Sequence, residues 1–209
     1  MGVHKAIRHR PRHSEQRRHQ ILVAAVRVIA ARGLADTRVA DVAQEAGTSA
    51  ALVIYYFESK ERLLTEALAY AEDRFYLETF HELTTIDRAR DRLVRLIELS
   101  IPNGSIDELD DWVLWIELWT RSLRDSHAAR KRSALDRRWR AVIADVVQTG
   151  LRRGEFVKVD PEDFAIQLAA LIDGLAVQVI LKDEEVTSAR VLELCLEFAD
   201  HQLGSRQPT

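Results

Sequence analysis

The sequence predicts an all-α protein of about nine helices in two domains. Three observations carry that expectation. Apolar residues recur at 3.6-residue spacing through successive long segments. No proline falls between Pro11 and Pro102, which leaves room for uninterrupted helices. The only stretch with strand character, residues 155–159, is too short to build a sheet.

Residues 1–13 are basic, His-rich and without apolar periodicity, and are expected to form a flexible arm. A first helix is expected over residues 14–32, with Ile21, Leu22, Ala25, Val26, Ile29 and Ala30 on its apolar stripe and Gly33 as its stop. Thr37 is expected to cap a short second helix carrying Val39, Val42, Ala43 and Ala46, which Gly47 ends. Ser49 is the expected cap of a third helix over 50–56, and Ser59 of a long fourth one with Leu63, Leu64, Ala67, Leu68, Ala71 and Phe75. Asp87 should open a helix to about residue 100, broken by Pro102-Asn103-Gly104. Ser105 and Glu108 have capping-box spacing ahead of a Trp-rich helix to about residue 124. A helix over 128–153 should stop at Gly154. Asp160, Pro161 and Asp163 mark the start of another that ends near residue 181, and Thr187 begins the last, to about 203, before a tail over 205–209.

Composition narrows the function. At 47% hydrophobic the 209-residue chain is too apolar to be disordered. One cysteine, Cys195, excludes an internal disulfide framework and suits a reducing cytoplasm, the expected location. No apolar run reaches the ~18 residues of a membrane span, so no membrane partner is expected. The net charge of −3 argues against a nucleic-acid partner until it is divided. Residues 1–60 hold ten Lys/Arg against five acids, hence +5, and the remainder holds 20 against 28, hence −8. That asymmetry suggests a basic module facing nucleic acid, joined to an acidic body.

Two short helices joined by Gly47-Thr48-Ser49 and preceded by a longer one have the spacing of a helix-turn-helix. The stretch Thr37-Arg-Val-Ala-Asp-Val-Ala-Gln-Glu-Ala-Gly47, then Thr48-Ser49, then Tyr55-Tyr56-Phe57-Glu-Ser59-Lys60-Glu61-Arg62-Leu63-Leu64, resembles the tetracycline-repressor (TetR) family over residues 14–64. The resemblance implies an N-terminal three-helix DNA-binding domain (14–60) and a C-terminal helical ligand-binding and dimerisation domain (61–204). It also implies a homodimer on a palindromic, double-stranded operator, most simply as a repressor released by a small-molecule effector. Thr48, Ser49, Ala50 and Ala51 lie at the start of the reading helix, where hydroxyls and amides reach phosphate and small side chains allow close approach. Tyr55 and Tyr56 resemble the family's aromatic pair, Lys60 its phosphate-contacting lysine, and Arg38 is a candidate for phosphate or guanine. Ala51 stands where Gly is usual and Ile54 where a phosphate-contacting Tyr is usual; Val53, Ile54 and Phe57 are read as packing. With no Arg, Lys, Asn or Gln on the reading helix, preference can come from DNA shape or from the arm, whose His4, His9, His13, His19, Arg8, Arg10, Arg12, Arg17 and Arg18 can follow a backbone or minor groove.

In the body, the eighth helix is apolar on more than one stripe and the ninth is similarly wide. This suggests a four-helix bundle across a dimer axis through Leu168, Leu171, Ile172, Leu175, Val179, Leu192, Leu196 and Ala199. Trp112, Trp115 and Trp119 share one side of a helix, either as core or as the wall of a ligand pocket. Asp173 interrupts an apolar helix and needs either a structural partner or a ligand. This region is loosely similar to the betaine-pathway repressor (BetI) subgroup, which implies an amine or quaternary ammonium effector. No cofactor and no metal site are expected: His81, His127 and His201 are isolated, Cys195 is read as core, and no catalytic fingerprint is present. The alternatives are a dimeric ligand-binding adaptor that does not bind DNA and an all-helical enzyme.

Overall fold

The computed structural model describes residues 10–102, 106–157 and 159–204, with side chains left out at 10–13, 78 and 106–111. The described residues are all-helical: α1 (Arg10–Arg32), α2 (Val39–Glu45), α3 (Ala50–Phe57), α4 (Lys60–Thr84), α5 (Ala89–Leu99), α6 (Ile106–Ser122), α7 (Ser126–Arg153), α8 (Pro161–Ile180) and α9 (Ser188–Leu203). They form two compact units, Met1–Ala71 and Glu72–Thr209. The division falls eleven residues beyond the expected domain limit at residue 60. The reason is that Leu63, Leu64, Ala67 and Leu68 at the start of α4 are fully buried and keep that half of the helix with the N-terminal unit.

In the N-terminal unit, α1 buries Ile21, Leu22, Ala25, Val28 and Ile29, spaced i, i+1, i+4, i+7 and i+8 so that they lie on one face. The helix starts at Arg10, not at residue 14, so residues 10–13 belong to it rather than to an arm; residues 1–9 lie outside the described part. Gly33, at φ +79°, ends α1 as expected. Thr37 does not cap α2. It is buried and its hydroxyl donates to the Gly33 carbonyl at 2.8 Å, while Arg38 takes the cap position and the Asp41 carboxylate accepts from the Arg38 N–H at 3.3 Å. Gly47 closes α2 with paired bonds from the Gly47 and Thr48 amides to Gln44 and Ala43. Ser49 and Ser59 cap α3 and α4 as expected, their hydroxyl oxygens accepting from the Leu52 and Arg62 amides at 3.2 and 3.1 Å.

In the C-terminal unit, α7 packs on α5, α6 and α8, and α8 packs on α9. The core between them holds Leu93, Leu96, Ile143, Val147, Phe164 and Leu168, all effectively inaccessible. Full burial of a side chain such as Phe164 stabilises by about 1.5–3 kcal/mol. Asp160 caps α8 by accepting from the Glu162 and Asp163 amides, both at 2.9 Å, with Pro161 next. Two expected starts move. α5 begins after Arg88 because Asp87 pairs with Arg153 instead of capping, and α7 begins at Ser126 because Asp125 accepts from the His127 and Ala128 amides. The predicted Ser105–Glu108 cap and the tail lie outside the described residues or side chains.

One exclusion is corrected. α8 is long and apolar enough to cross a membrane by length and mean hydropathy (1.6). Its apolar residues are broken by Gln167 and Asp173, which hides the length from a search for a continuous run. Phe164, Ala165, Leu168 and Ile172 on α8 are buried in the core of the unit.

Candidate functional site

Two sets of residues carry chemistry, one in each unit. In the N-terminal unit, α2 and α3 pack against each other and α2 against α1, a helix-turn-helix whose second member is α3. Val53 and Phe57 are buried, as expected for anchors. Ala50, Ala51 and Ser49 are exposed and Thr48 is half-buried. Tyr55 is 77% exposed and stacks edge-on against the half-buried Tyr56 at 5.4 Å. Ile54, assigned to packing, is instead 38% exposed, since it shares the outward side of the helix with Tyr55.

The cations of this unit sort into two groups. Arg18 bonds to Glu66 and lies over the Phe57 ring at 4.8 Å; Arg27 pairs with Glu45, Arg32 with Asp41 and Arg62 with Glu58. His19 packs edge-on against Tyr70. Arg18 and His19 are thus engaged with side chains of their own unit. Among the described side chains, Arg17, Arg38 and Lys60 make no ion pair. Lys60 opens α4, where the helix dipole is positive and a second positive charge is unfavourable unless an anion arrives. That placement suits a phosphate.

The C-terminal unit holds a partly open cavity of about 760 Å³, lined from α4, α5, α6, α7 and α8. All four tryptophans of the chain line it: Trp112, Trp115 and Trp119 from α6 and Trp139 from α7. Trp115 and Trp119 lie 5.8 Å apart, and Trp139 meets Tyr76 edge-on at 5.9 Å and Phe75 at 6.2 Å. Asp173 lies on the same wall, so the three α6 tryptophans and Asp173, separated by more than fifty residues, face one space. Sequence reasoning missed Phe75, Tyr76, Asp136, Arg132, Trp139 and Arg140, which reach the cavity from other helices.

Its electrostatics are uneven. Burial pushes the Asp173 carboxyl up to about 7, repulsion from Asp136 adds to this, and Arg132 partly offsets it. Burial also raises Asp136, against the pull of Arg132, Arg140 and Arg137. Arg132 donates to Asp136 at 2.6 Å, whereas Asp173 has no hydrogen bond or ion pair among the described residues. Two donors on lining residues, Tyr76 Oη and Trp119 Nε1, are buried without an acceptor, at a cost of about 1–3 kcal/mol each. Aromatic faces and a carboxylate both attract an organic cation. Cys195 lies apart from this in the core, and burial pushes its thiol up to about 11, away from reactivity.

The expected dimer residues divide. Leu168, Ile172 and Ala199 are buried in the chain's own core and have no surface left for a partner. Leu171, Leu175, Val179, Leu192 and Leu196 keep partial exposure.

A helix-turn-helix unit followed by a helical domain with an aromatic cavity defines a DNA-binding regulator with a ligand-binding domain. Residues 21–67 match the family of bacterial regulatory proteins described as the tetR family, and residues 89–204 match the family described as BetI-type transcriptional repressor, C-terminal. The chain belongs to the TetR family of transcriptional regulators and carries a BetI-type C-terminal domain. It is 28% identical over 197 residues to the HTH-type transcriptional regulator BetI of Burkholderia mallei, covering 92% of this chain and 96% of that protein. Among solved structures it is similar to a transcriptional regulator from Saccharomonospora viridis in complex with choline, with 35% identity, TM-score 0.79, and 90% of this chain and 98% of that one covered. A TetR-family regulator from Rhodococcus sp. is 29% identical with TM-score 0.77, over 91% and 100% of the two chains. These relatives are regulators, not enzymes.

Proposed function

We propose that the chain is a transcriptional repressor that binds a palindromic operator as a homodimer in the cytoplasm and is released by a small quaternary ammonium effector. The observation that carries this reading is the tryptophan-lined cavity with the unpartnered Asp173 carboxylate on its wall. A permanently charged ammonium is attracted to aromatic faces by about 0.5–2 kcal/mol each, and a buried carboxylate adds to that. The choline held by the relative from Saccharomonospora viridis supports the same class of ligand here.

DNA contact is assigned to Arg38, Thr48, Ser49, Ala50, Ala51, Tyr55, Tyr56 and Lys60, and Arg17 joins them as an unpaired cation. The partly exposed Leu171, Leu175, Val179, Leu192 and Leu196, with Leu181 (73% exposed), supply an apolar surface suited to a second copy. A two-fold dimer places its reading helices about 34–36 Å apart on one face of the duplex. Effector binding then has only to favour a dimer geometry that departs from this spacing.

Gel shifts with purified protein and a duplex from upstream of its own gene test the reading. Binding should weaken about a thousandfold or more between 50 and 200 mM salt if six or more phosphates are neutralised. Millimolar choline should abolish the shift. Binding indifferent to both salt and choline would sink the proposal.

A further inference from the structure

Among the described residues, six charged side chains line the cavity: Glu72, Glu82, Asp136, Asp173, Arg132 and Arg140. Most are already matched within the chain. Arg95 bonds to Glu82 at 2.6 Å, Arg132 bonds to Asp136 at 2.6 Å, and Glu72 has interactions of its own. Two remain. Neither Asp173 on α8 nor Arg140 on α7 makes a hydrogen bond or an ion pair among the described residues, and they do not pair with each other. Arg140 stands one helical turn beyond Asp136, whose carboxylate it attracts without bonding to it, so its planar fork of donors stays open. Arg140 is half-buried, and its donors are free to meet an acceptor that enters the cavity. The unpartnered donors of Tyr76 and Trp119 add to the same demand.

The cavity thus has a complement for a cation and a separate complement for an anion. We infer that its ligand is a small zwitterion: a quaternary ammonium held by the tryptophans and Asp173, joined to a carboxylate that takes the fork of Arg140. This rests on reading the cavity as the effector site, and sharpens it from an organic cation to a trimethylammonio-carboxylate. The space permits it. A cavity of about 760 Å³ has room for more than an ammonium head.

Calorimetric titration of the full chain and its Arg140→Gln, Arg140→Lys and Asp173→Asn variants tests this. The probes are choline and trimethylammonio-carboxylates with one to four methylenes between the charges. At least one zwitterion should bind more tightly than choline. Arg140→Gln should weaken that zwitterion about tenfold or more, with choline unchanged or improved, and Arg140→Lys should recover part of the loss. Asp173→Asn should weaken both ligands, and matching melting temperatures show that the variants are folded. If choline binds and no zwitterion exceeds it, or if Arg140→Gln weakens both equally, the inference is overturned while the effector reading stands. If no quaternary ammonium binds, the effector reading itself fails.

Discussion

The Asp136 carboxylate on α7 and the Asp173 carboxylate on α8 repel one another at the wall of one cavity, and only Asp136 has a bonded counter-ion. Burial first, and that repulsion second, make Asp173 retain its proton to about pH 7, where an ordinary aspartate would have lost it near 4. An arriving cation favours the ionised form, so cation binding should release a proton from this residue.

Choline affinity should accordingly rise with pH, by up to about tenfold per unit below 7, and level off above about 8. Titrations across that range check it; a flat profile would show that Asp173 does not meet the cation. The folded state holds this proton more tightly than the unfolded chain, so Asp173 makes the ligand-free protein lose stability as pH climbs from about 4 towards 7. Asp173→Asn should remove that decline, raising the melting temperature at neutral pH while lowering cation affinity. A variant that melts lower than the parent would contradict it.

On DNA, the unpaired and paired cations should separate. Lys60→Ala should weaken binding across all sequences and reduce the slope of affinity against salt by about one. Arg27→Ala, which removes a residue engaged with Glu45, should change the slope less. Equal effects from both would remove the distinction.

Gly150 is required by packing rather than by backbone conformation. A Cβ there would overlap the Phe156 ring, and both residues are buried. Gly150→Ala should cost about 1–3 kcal/mol by overpacking. In the Phe156→Leu background the same substitution should cost less, because the obstructing ring is gone. Denaturant titrations of the four proteins give the coupling directly.

Lys182 offers the opposite opportunity. The amides of Lys182 and Asp183 bond to the Val179 and Gln178 carbonyls, closing α8 with Lys182 at φ +61°. Gly47 and Gly154 occupy the equivalent positions of α2 and α7. Lys182→Gly should stabilise by up to about 1 kcal/mol, whereas Lys182→Ala, which keeps the Cβ, should not. Thermal melting of the pair decides.

The same comparison shows what a linear reading detects. Gly47 and Gly154 announce helix ends because glycine is the residue that accepts positive φ; a lysine forced into that conformation sends no such signal. Asp160 and Pro161 were legible because the aspartate accepts local amides and the proline lacks one. Asp87 has the right type for a cap, but a long-range partner, Arg153, claims it. Leu168 and Leu171 look alike in periodicity, and nothing local tells a neighbour in the same chain from one in a second copy. The α6 tryptophans and Asp173 stood out by composition. Trp139 and Arg140 did not, because their part in the cavity comes from α7 crossing α6 and α8.

The clustering of all four tryptophans around one cavity also makes the molecule its own optical probe. Indole emission arises from the C-terminal unit alone, while the DNA-reading unit, with Tyr55, Tyr56 and Tyr70, contributes only tyrosine signal. A spectral shift on adding a small molecule therefore reports occupancy of the cavity without a label. Operator added by itself leaves that light unchanged unless the second unit responds to the first, so one fluorescence titration with DNA reads out the coupling between the two.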